Sequence, residues 1–461
     1  MWLTRPALRK KRSKRPSTAA RSSASIGKDE LKGLPEFSEH RLANGLRILV
    51  GEVHLLPMIS FQVHFAAGSR YERPGITGIT HLFEHMMFKG TREVGPEEFS
   101  RIIQANGGSL NAFTTTDNTA YYENLPADRL ELAARLEADR LQNLRLTEEN
   151  LETEREVVRS ERKLRSVNSP FGLVIEQLVA LAYEQHPYRW PVIGWDSDLR
   201  SLTLEDCREY HRTHYAPNHA VVVIVGDVHP EEALRVVERH FGPIPSPPPP
   251  RLTITPEKLQ RGEKRAVFKK VSQVAAFFAA FHIPGIAHPD LIPLQILCVA
   301  LSVGRSSRFF EKFEKPGKAI EAQAEVGYPP FFSMDPGLLQ LSAVASPALS
   351  VDTLEKEIWE EVETFRTKPC TEKEVRKAKK QARSYFLQGL QTLFSKGLLA
   401  GLYQVRTGDF RRMYALLDRY DSVTSEDLLR VARKYLGPEN RTVVTLQPVS
   451  QKEHEDLGEM E

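Results

Sequence analysis

Cysteine is scarce: Cys207, Cys298 and Cys370 are the only three in 461 residues. So few, at such spacing, exclude a disulfide scaffold and a C-x-x-C metal site, and three reduced, mostly buried thiols are the expectation. Long apolar runs are missing as well. The longest, Val274 to Phe281, falls far short of the ~18 residues that a membrane span needs. Nor is there a strong excess of either charge, since 63 basic and 60 acidic residues leave a formal +3. What the chain does have is ordinary core-forming material, with 41% hydrophobic and 27% charged residues. Those proportions exclude global disorder. At about 100–200 residues per domain, the length accommodates two to four domains.

The small net charge conceals an asymmetry. Met1 to Lys28 holds nine Lys or Arg and no acid; taking those nine from the 63 leaves 54 basic against 60 acidic residues, so the rest of the chain carries −6. A nucleic-acid-binding protein would carry its basic patch on the fold, so no nucleic-acid partner is expected. The basic segment lacks the apolar core, about 7–15 residues, of a secretory signal. Its Arg, Lys, Ser and Ala composition fits an organellar transit peptide, a disordered arm touching RNA or anionic lipid, or an extension without a dedicated partner. Residues 1–36 are therefore expected to be a basic, disordered arm. The expected compartment is the cytoplasm, or the mitochondrial matrix if the arm is a transit peptide. Folded material should begin near Phe37, where "FSEHRLANGLRILV" reads as two strands around an Asn-Gly turn.

The clearest internal boundary runs from Phe241 to Val267, where six prolines fall within Pro243 to Pro250. Such a run cannot enter a helix or a central strand and favours an extended, semi-rigid spacer. It defines a first domain over 37–240, a Pro-rich linker over 241–262, a second domain over 263–450 and an acidic tail over 451–461. The halves share a layout. The first opens with the strand pair "GLRILVGEV" and "MISFQVHFAAGS", followed by a helix from about Ile76. The second opens with "EKRAVFKKV" and "QVAAFFAAFHIPG", followed by the helical "LIPLQILCVAL". Strands "HAVVVIVGDV" and "RTVVTLQPV" close the two halves. The expected fold class is α+β: two related α/β-roll domains, each an antiparallel-rich sheet with helices on one side, arising from a diverged duplication.

The sharpest motif is "GITHLFEHMMFKG", which contains His81-Leu82-Phe83-Glu84-His85. Positions three and four apart share one helical face, so His81, Glu84 and His85 would project together. Two imidazoles on one turn can each hold Zn²⁺ at about 2.0–2.1 Å, and a carboxylate between them can reach water at the metal. H-x-x-E-H is the inverted counterpart of the H-E-x-x-H metallopeptidase motif. A catalytic zinc needs a third protein ligand, and "TEENLETEREVVRSERKLR", Thr147 to Arg165, reads as an acidic helix able to supply it. Leu151, Val158 and Leu164 mark its apolar side, while Glu154 and Glu161, two turns apart, lie on nearly one face and are both candidates. The segment "GGSLNAFTTTDNTAYY" alternates well enough for a strand beginning near Leu110.

H-x-x-E-H, followed after 75 intervening residues by Glu161 in the context "TEREVVRSE", resembles the inverted zinc metallopeptidase family of insulin-degrading enzyme, pitrilysin and the mitochondrial processing peptidase. The likeness extends through "HLFEHMMFKGT", "GGSLNAFTTTDNTAYYENLP" and "HPY" into the C-terminal half. It implies a zinc endopeptidase acting on extended or unfolded peptides, with one Zn²⁺ per chain. His81, His85 and Glu161 would be the ligands, Glu84 the general base and Glu154 the residue that orients the site. Asn111, Ala112 and Phe113 would line the scissile bond on the edge strand. In the second half the equivalent helix has no His or Glu, but Ser306, Ser307 and Arg308 resemble the family's "S-S-R-L-F" element, so Arg308 would help hold substrate. The tyrosine expected about thirteen residues later is replaced by Glu321, a departure from the family pattern that leaves open whether the chain completes its own site. Short members close a chamber by dimerising, so the implied partner is a related chain supplying a substrate-binding half, or a second copy. The other function open to the family is a structural core subunit of a larger assembly; such relatives usually have degraded motifs, whereas all four residues persist here.

Overall fold

A computed structural model describes residues 34–248, 253–328 and 333–453. Most of the basic arm, the Pro-rich stretch 249–252 and the acidic tail beyond 453 lie outside the described residues. The first half builds a six-stranded sheet from β1 (Phe37–Arg41), β2 (Arg47–Glu52), β3 (Met58–Phe65), β4 (Ser109–Thr114), β5 (Thr119–Pro126) and β6 (Ala220–Gly226), in the order β1-β2-β6-β3-β5-β4. The predicted Asn-Gly turn joins β1 to β2, with Gly45 at φ 93°, a left-handed conformation that glycine adopts without a Cβ clash. β2 and β3 do not pair with each other. Instead β6 slots between them, parallel to β2 and antiparallel to β3. Its sequence, Ala-Val-Val-Val-Ile-Val-Gly, is apolar on both faces and wholly buried, which suits a central strand.

The helices of this half are α1 (Ile79–Met86), α2 (Glu98–Ala105), α3 (Leu130–Asn143), α4 (Glu148–Arg162), α5 (Gly172–Ala182), α6 (Asp196–Ser201), α7 (Leu204–His214) and α8 (Pro230–Phe241). The second half repeats the plan with β7 (Lys264–Val271), β8 (Ala276–Ile283), β9 (Ala319–Tyr328), β10 (Gly337–Ala345) and β11 (Arg441–Val449), ordered β7-β11-β8-β10-β9. Its helices are α9 (Leu291–Ser302), α10 (Val351–Thr367), α11 (Glu372–Gly389), α12 (Leu393–Thr407), α13 (Leu416–Ser422) and α14 (Ser425–Tyr435). With β1 set aside, the two sheets have the same strand order and the same parallel and antiparallel pairings. The three cysteines are free and buried.

Each half lends the other a helix. Val174, Leu178, Val179 and Ala182 of α5 pack on Ala276, Phe278 and Ala280 of β8 and on Leu338, Val444 and Leu446 of its neighbours. The three larger aliphatic side chains contribute about 1.5–3 kcal/mol each when fully buried. In return α12 crosses β3 and β6. Its Gly397 and Gly401 back onto the buried Gln62 and His64, where a Cβ would fall 2.4 Å from a side-chain nitrogen.

A buried polar knot joins the halves beside this helix. Arg406, at the end of α12, donates from Nη2 to Thr115 Oγ1 (3.1 Å) and Asn118 Oδ1 (2.8 Å) in the β4–β5 turn. Asp117 of that turn accepts from the Tyr188 hydroxyl at 2.6 Å and from the Met334 amide at 3.1 Å. Asp335 in turn takes Arg70 Nε at 2.5 Å and His186 Nε2 at 3.0 Å. Burial pushes the Asp335 carboxyl up, but His186 and Arg70 outweigh it and hold the group down at about 2.

Candidate metal centre

α1 starts where the chain crosses itself. Gly78, at φ 87°, lies against Gly194, and a Cβ on either would strike the other's backbone below 3 Å. Two buried carboxylates then satisfy backbone N–H groups, one at the helix start and one in the loop leading into it. Glu72 accepts from the Gly78 and Thr80 amides at 2.9 Å each. Asp198 accepts from the Gly75 and Thr77 amides and from the Thr77 hydroxyl. Neither carboxylate figures in the H-x-x-E-H pattern. Their sequence signal is faint, since an acid six residues upstream and another some 120 downstream become neighbours only through the fold.

On α1, Leu82, Phe83 and Met86 are buried in the core beneath the sheet. His81, Glu84 and His85 turn the other way, toward α4. Thr147 caps α4 by accepting the Asn150 amide, and Leu151 and Val158 anchor its apolar side. Leu164, expected on that side, is exposed. The α-helix ends at Arg162 and a π-helical turn carries Lys163–Val167, so the 3.6-residue period no longer applies there.

Glu154 and Glu161 both face α1. Glu161 Oε2 lies 3.4 Å from His85 Nε2 and 3.8 Å from His81 Nε2. Glu154 Oε2 lies 3.2 Å from His85 Nδ1, and its other oxygen takes Lys89 at 2.7 Å. Arg165 pairs with the second oxygen of Glu161 at 2.8 Å. Burial pushes His81 down to about 4, which keeps it neutral with a lone pair to offer. Burial also lowers His85, but the carboxylates of Glu154 and Glu161 overcome this and raise it to about 9. The pocket thus favours positive charge at His85. One donor atom each from His81, His85 and Glu161 gathers within 4.8 Å. A His₂Glu set with a carboxylate behind one imidazole suits Zn²⁺.

Glu84, mostly buried, accepts from the Thr114 hydroxyl at 2.6 Å and is raised by burial. Thr114 ends β4, the outermost strand of its sheet, and connects the carboxylate to that free edge. Asn111, Ala112 and Phe113 lie on β4 as expected. Asn111 is exposed, and its side-chain oxygen takes the Ala112 amide at 2.9 Å. Arg308 is grouped elsewhere: its guanidinium binds Glu361 (2.9 Å) and Glu374 (2.7 Å) over the Phe365 ring. Glu321 sits on β9, bonded to Gln323.

Residues 57–195, which contain the whole His/Glu cluster, match the family model described as Insulinase (Peptidase family M16). Residues 201–382 match the model described as Peptidase M16 inactive domain. Among similar proteins is one from Helicobacter pylori named Zinc protease PqqE, 28% identical over 429 residues that cover 90% of this chain and 94% of that one. A crystal structure of a protease from Helicobacter pylori superposes with a TM-score of 0.85 at 28% identity, covering 90% of this chain and 100% of its own. The periplasmic protease PqqL of Escherichia coli shares the fold at a TM-score of 0.73 and 15% identity, with 92% of this chain covering 50% of that one. Matched across both halves by the models of one family, the chain belongs to peptidase family M16, the insulinase family.

Proposed function

We propose that this M16 peptidase is a zinc-dependent endopeptidase that hydrolyses extended or unfolded peptides. The observation carrying this reading is the convergence of His81 Nε2, His85 Nε2 and Glu161 Oε2, with Glu84 alongside and hydrogen-bonded to the edge strand. His81, His85 and Glu161 would hold one Zn²⁺ per chain. When bound, zinc supplies Lewis acidity that polarises a scissile carbonyl and makes water more acidic. Glu84 takes the proton of the attacking water and returns it to the leaving amine, and its burial-raised affinity for a proton suits both steps. Glu154 fixes the His85 ring by accepting from Nδ1 while Lys89 balances its charge. The peptide would add to β4 beside Asn111, Ala112 and Phe113, held by main-chain hydrogen bonds, so side-chain preference would be loose.

The second half lacks a His/Glu cluster of this kind among its described residues. With Arg308 engaged by Glu361 and Glu374, the reading includes a related chain that supplies the substrate-holding half. The twofold longer PqqL chain, half of which this chain covers, fits that arrangement. No helix among the described residues is long and apolar enough to cross a membrane. The test measures zinc content and cleavage of an unfolded polypeptide for wild type, Glu84→Gln and Glu161→Ala, with and without a related M16 chain. Glu84→Gln should keep its zinc and lose about 10²–10⁴-fold in rate. Glu161→Ala should lose zinc. A wild type that binds zinc and cleaves nothing in any mixture overturns the enzyme reading.

A further inference from the structure

The parallel strands β2 and β6 end side by side, with Glu52 opposite Gly226. The chain leaving each strand stays at the same spot, pinned by the bond from the Val53 amide to the Gly226 carbonyl at 2.8 Å. This brings Glu52 and His54 from one exit next to Asp227 and His229 from the other. Glu52 Oε2 lies 3.2 Å from His54 Nε2 and 3.2 Å from His229 Nδ1. His54 Nδ1 lies 2.7 Å from Asp227 Oδ1, and the two imidazole centroids are 5.3 Å apart. Donor atoms of Glu52, His54 and His229 gather within 4.8 Å, as those of His81, His85 and Glu161 do.

From this geometry we infer a second metal site, formed by Glu52, His54 and His229, that takes a divalent transition ion of the Zn²⁺ class. Four points support it. Tetrahedral coordination with bonds of about 2.0–2.1 Å separates donors by about 3.3–3.4 Å, close to both 3.2 Å contacts. Asp227 stands behind His54 on the ring nitrogen that faces away from Glu52, the second-carboxylate arrangement that orients metal-bound imidazoles. Glu154 holds the same position behind His85. Charge also balances: the carboxylates of Glu52 and Asp227 match a divalent ion bound by neutral imidazoles. Imidazole and carboxylate donors suit Zn²⁺, Cu²⁺ and Ni²⁺ better than Mg²⁺ or Ca²⁺. All three donor residues are exposed, so water or a partner's side chain would complete the coordination. The site would tie the β2–β3 connection to the start of α8.

Zn²⁺ titration of the intact chain by calorimetry, with Co²⁺ absorption as the geometric readout, tests this. Wild type should take two equivalents, the second more weakly. His54→Ala and His229→Ala should each abolish the second equivalent and leave the first. Asp227→Asn should weaken the second about 10–100-fold. Because these side chains are exposed, circular dichroism should stay unchanged, and loss of binding then reports the site and not the fold. A wild type that binds one equivalent, or a second equivalent that survives both alanine substitutions, overturns the inference. If His81→Ala/His85→Ala retains an equivalent that His229→Ala loses, the second site stands whatever becomes of the peptidase reading.

Discussion

The two halves share one sheet topology and differ in the helix that follows their second long strand. In the first half that helix, α1, buries one face and turns His81, Glu84 and His85 toward the carboxylates of α4. In the second half it is α9, whose Leu291, Ile292, Leu294, Ile296, Leu297, Val299 and Leu301 are all buried. α9 packs against α11, α14 and β9 and contributes to a large apolar core. One topology therefore carries either a cluster of titratable donors or a plain core, and chemistry resides in the residues placed on the frame. The surfaces on which the lent helices sit differ in the opposite sense to the usual rule for cores. α5 lies on Ala276, Phe278 and Ala280, an apolar row of β8. α12 lies over Ser60, Gln62 and His64, a polar row of β3 that is fully buried. The half with the donor cluster is thus gripped through hydrogen bonds and close glycine contacts, and the other through ordinary apolar packing.

The strongest way to break this asymmetry is at Arg406. Its guanidinium and the Asp117 carboxylate, 3.9 Å apart, are both fully buried. Removing one member of a buried ionic pair leaves the other uncompensated, typically at a cost of about 3–5 kcal/mol. Arg406→Ala should lower unfolding free energy by that amount in urea titration. It should also impair peptide cleavage, because Thr115, which Arg406 holds, is next to Thr114 on Glu84. Unchanged urea midpoints and cleavage rates would mean that the knot does not hold the halves together.

Gly401→Leu probes the same grip with a smaller effect. A Cβ at this position would already lie 2.4 Å from His64 Nε2. Overpacking typically costs about 1–3 kcal/mol, and a leucine should reach the upper end, while leaving glycine returns about 0.8 kcal/mol of helix propensity. A net loss of about 2 kcal/mol is expected by urea titration. Gly389 of α11, where a Cβ meets nothing within 4 Å, is the control, and its alanine variant should be no less stable than wild type. Equal stability of both variants would show that α12 does not approach the sheet closely.

Much of this arrangement could be read from residue patterns and part of it could not. His81, Glu84 and His85 are legible because a helical period of 3.6 puts them on one face, and both Glu154 and Glu161 followed from their two-turn spacing. The two halves were legible because each strand set has its own apolar pattern and prolines separate them. The insertion of β6 between β2 and β3 was not, since pairing over more than 150 residues leaves no local trace. Leu164 was misplaced because nothing in "SERKLRSV" announces the π-helical turn that ends the α-periodicity. The Glu52, His54, Asp227 and His229 cluster was invisible for the reason that hid β6: its members come from two strand exits that only the tertiary fold makes adjacent.

The smallest effect tests whether the polar row under α12 makes that side acid-sensitive. His64 is fully buried. Gln62 donates to the Phe394 carbonyl and presents its oxygen to His64 Nε2 at 2.9 Å, so Nε2 carries the proton of the neutral ring. Nδ1 is buried without a hydrogen-bond partner, and a second proton there would have no acceptor. Burial first, and the nearby charge of Arg406 second, push the group down to about 3. The unfolded chain, with a histidine pKa of about 6.5, takes up a proton that the folded protein refuses. Stability from His64 is therefore complete above about pH 6.5 and is lost as pH falls toward about 3. At pH 5.5 the loss amounts to about 1.4 kcal/mol relative to neutral pH. His64→Gln cannot titrate, so between pH 7.5 and 5.5 it should lose about 1.4 kcal/mol less than wild type in matched urea titrations. The buried His211 and His214, both lowered to about 4 by burial, titrate in both proteins and cancel. Equal losses in the two proteins would mean that the ring is already charged in the fold, and the polar row would then owe its place to something other than a neutral His64.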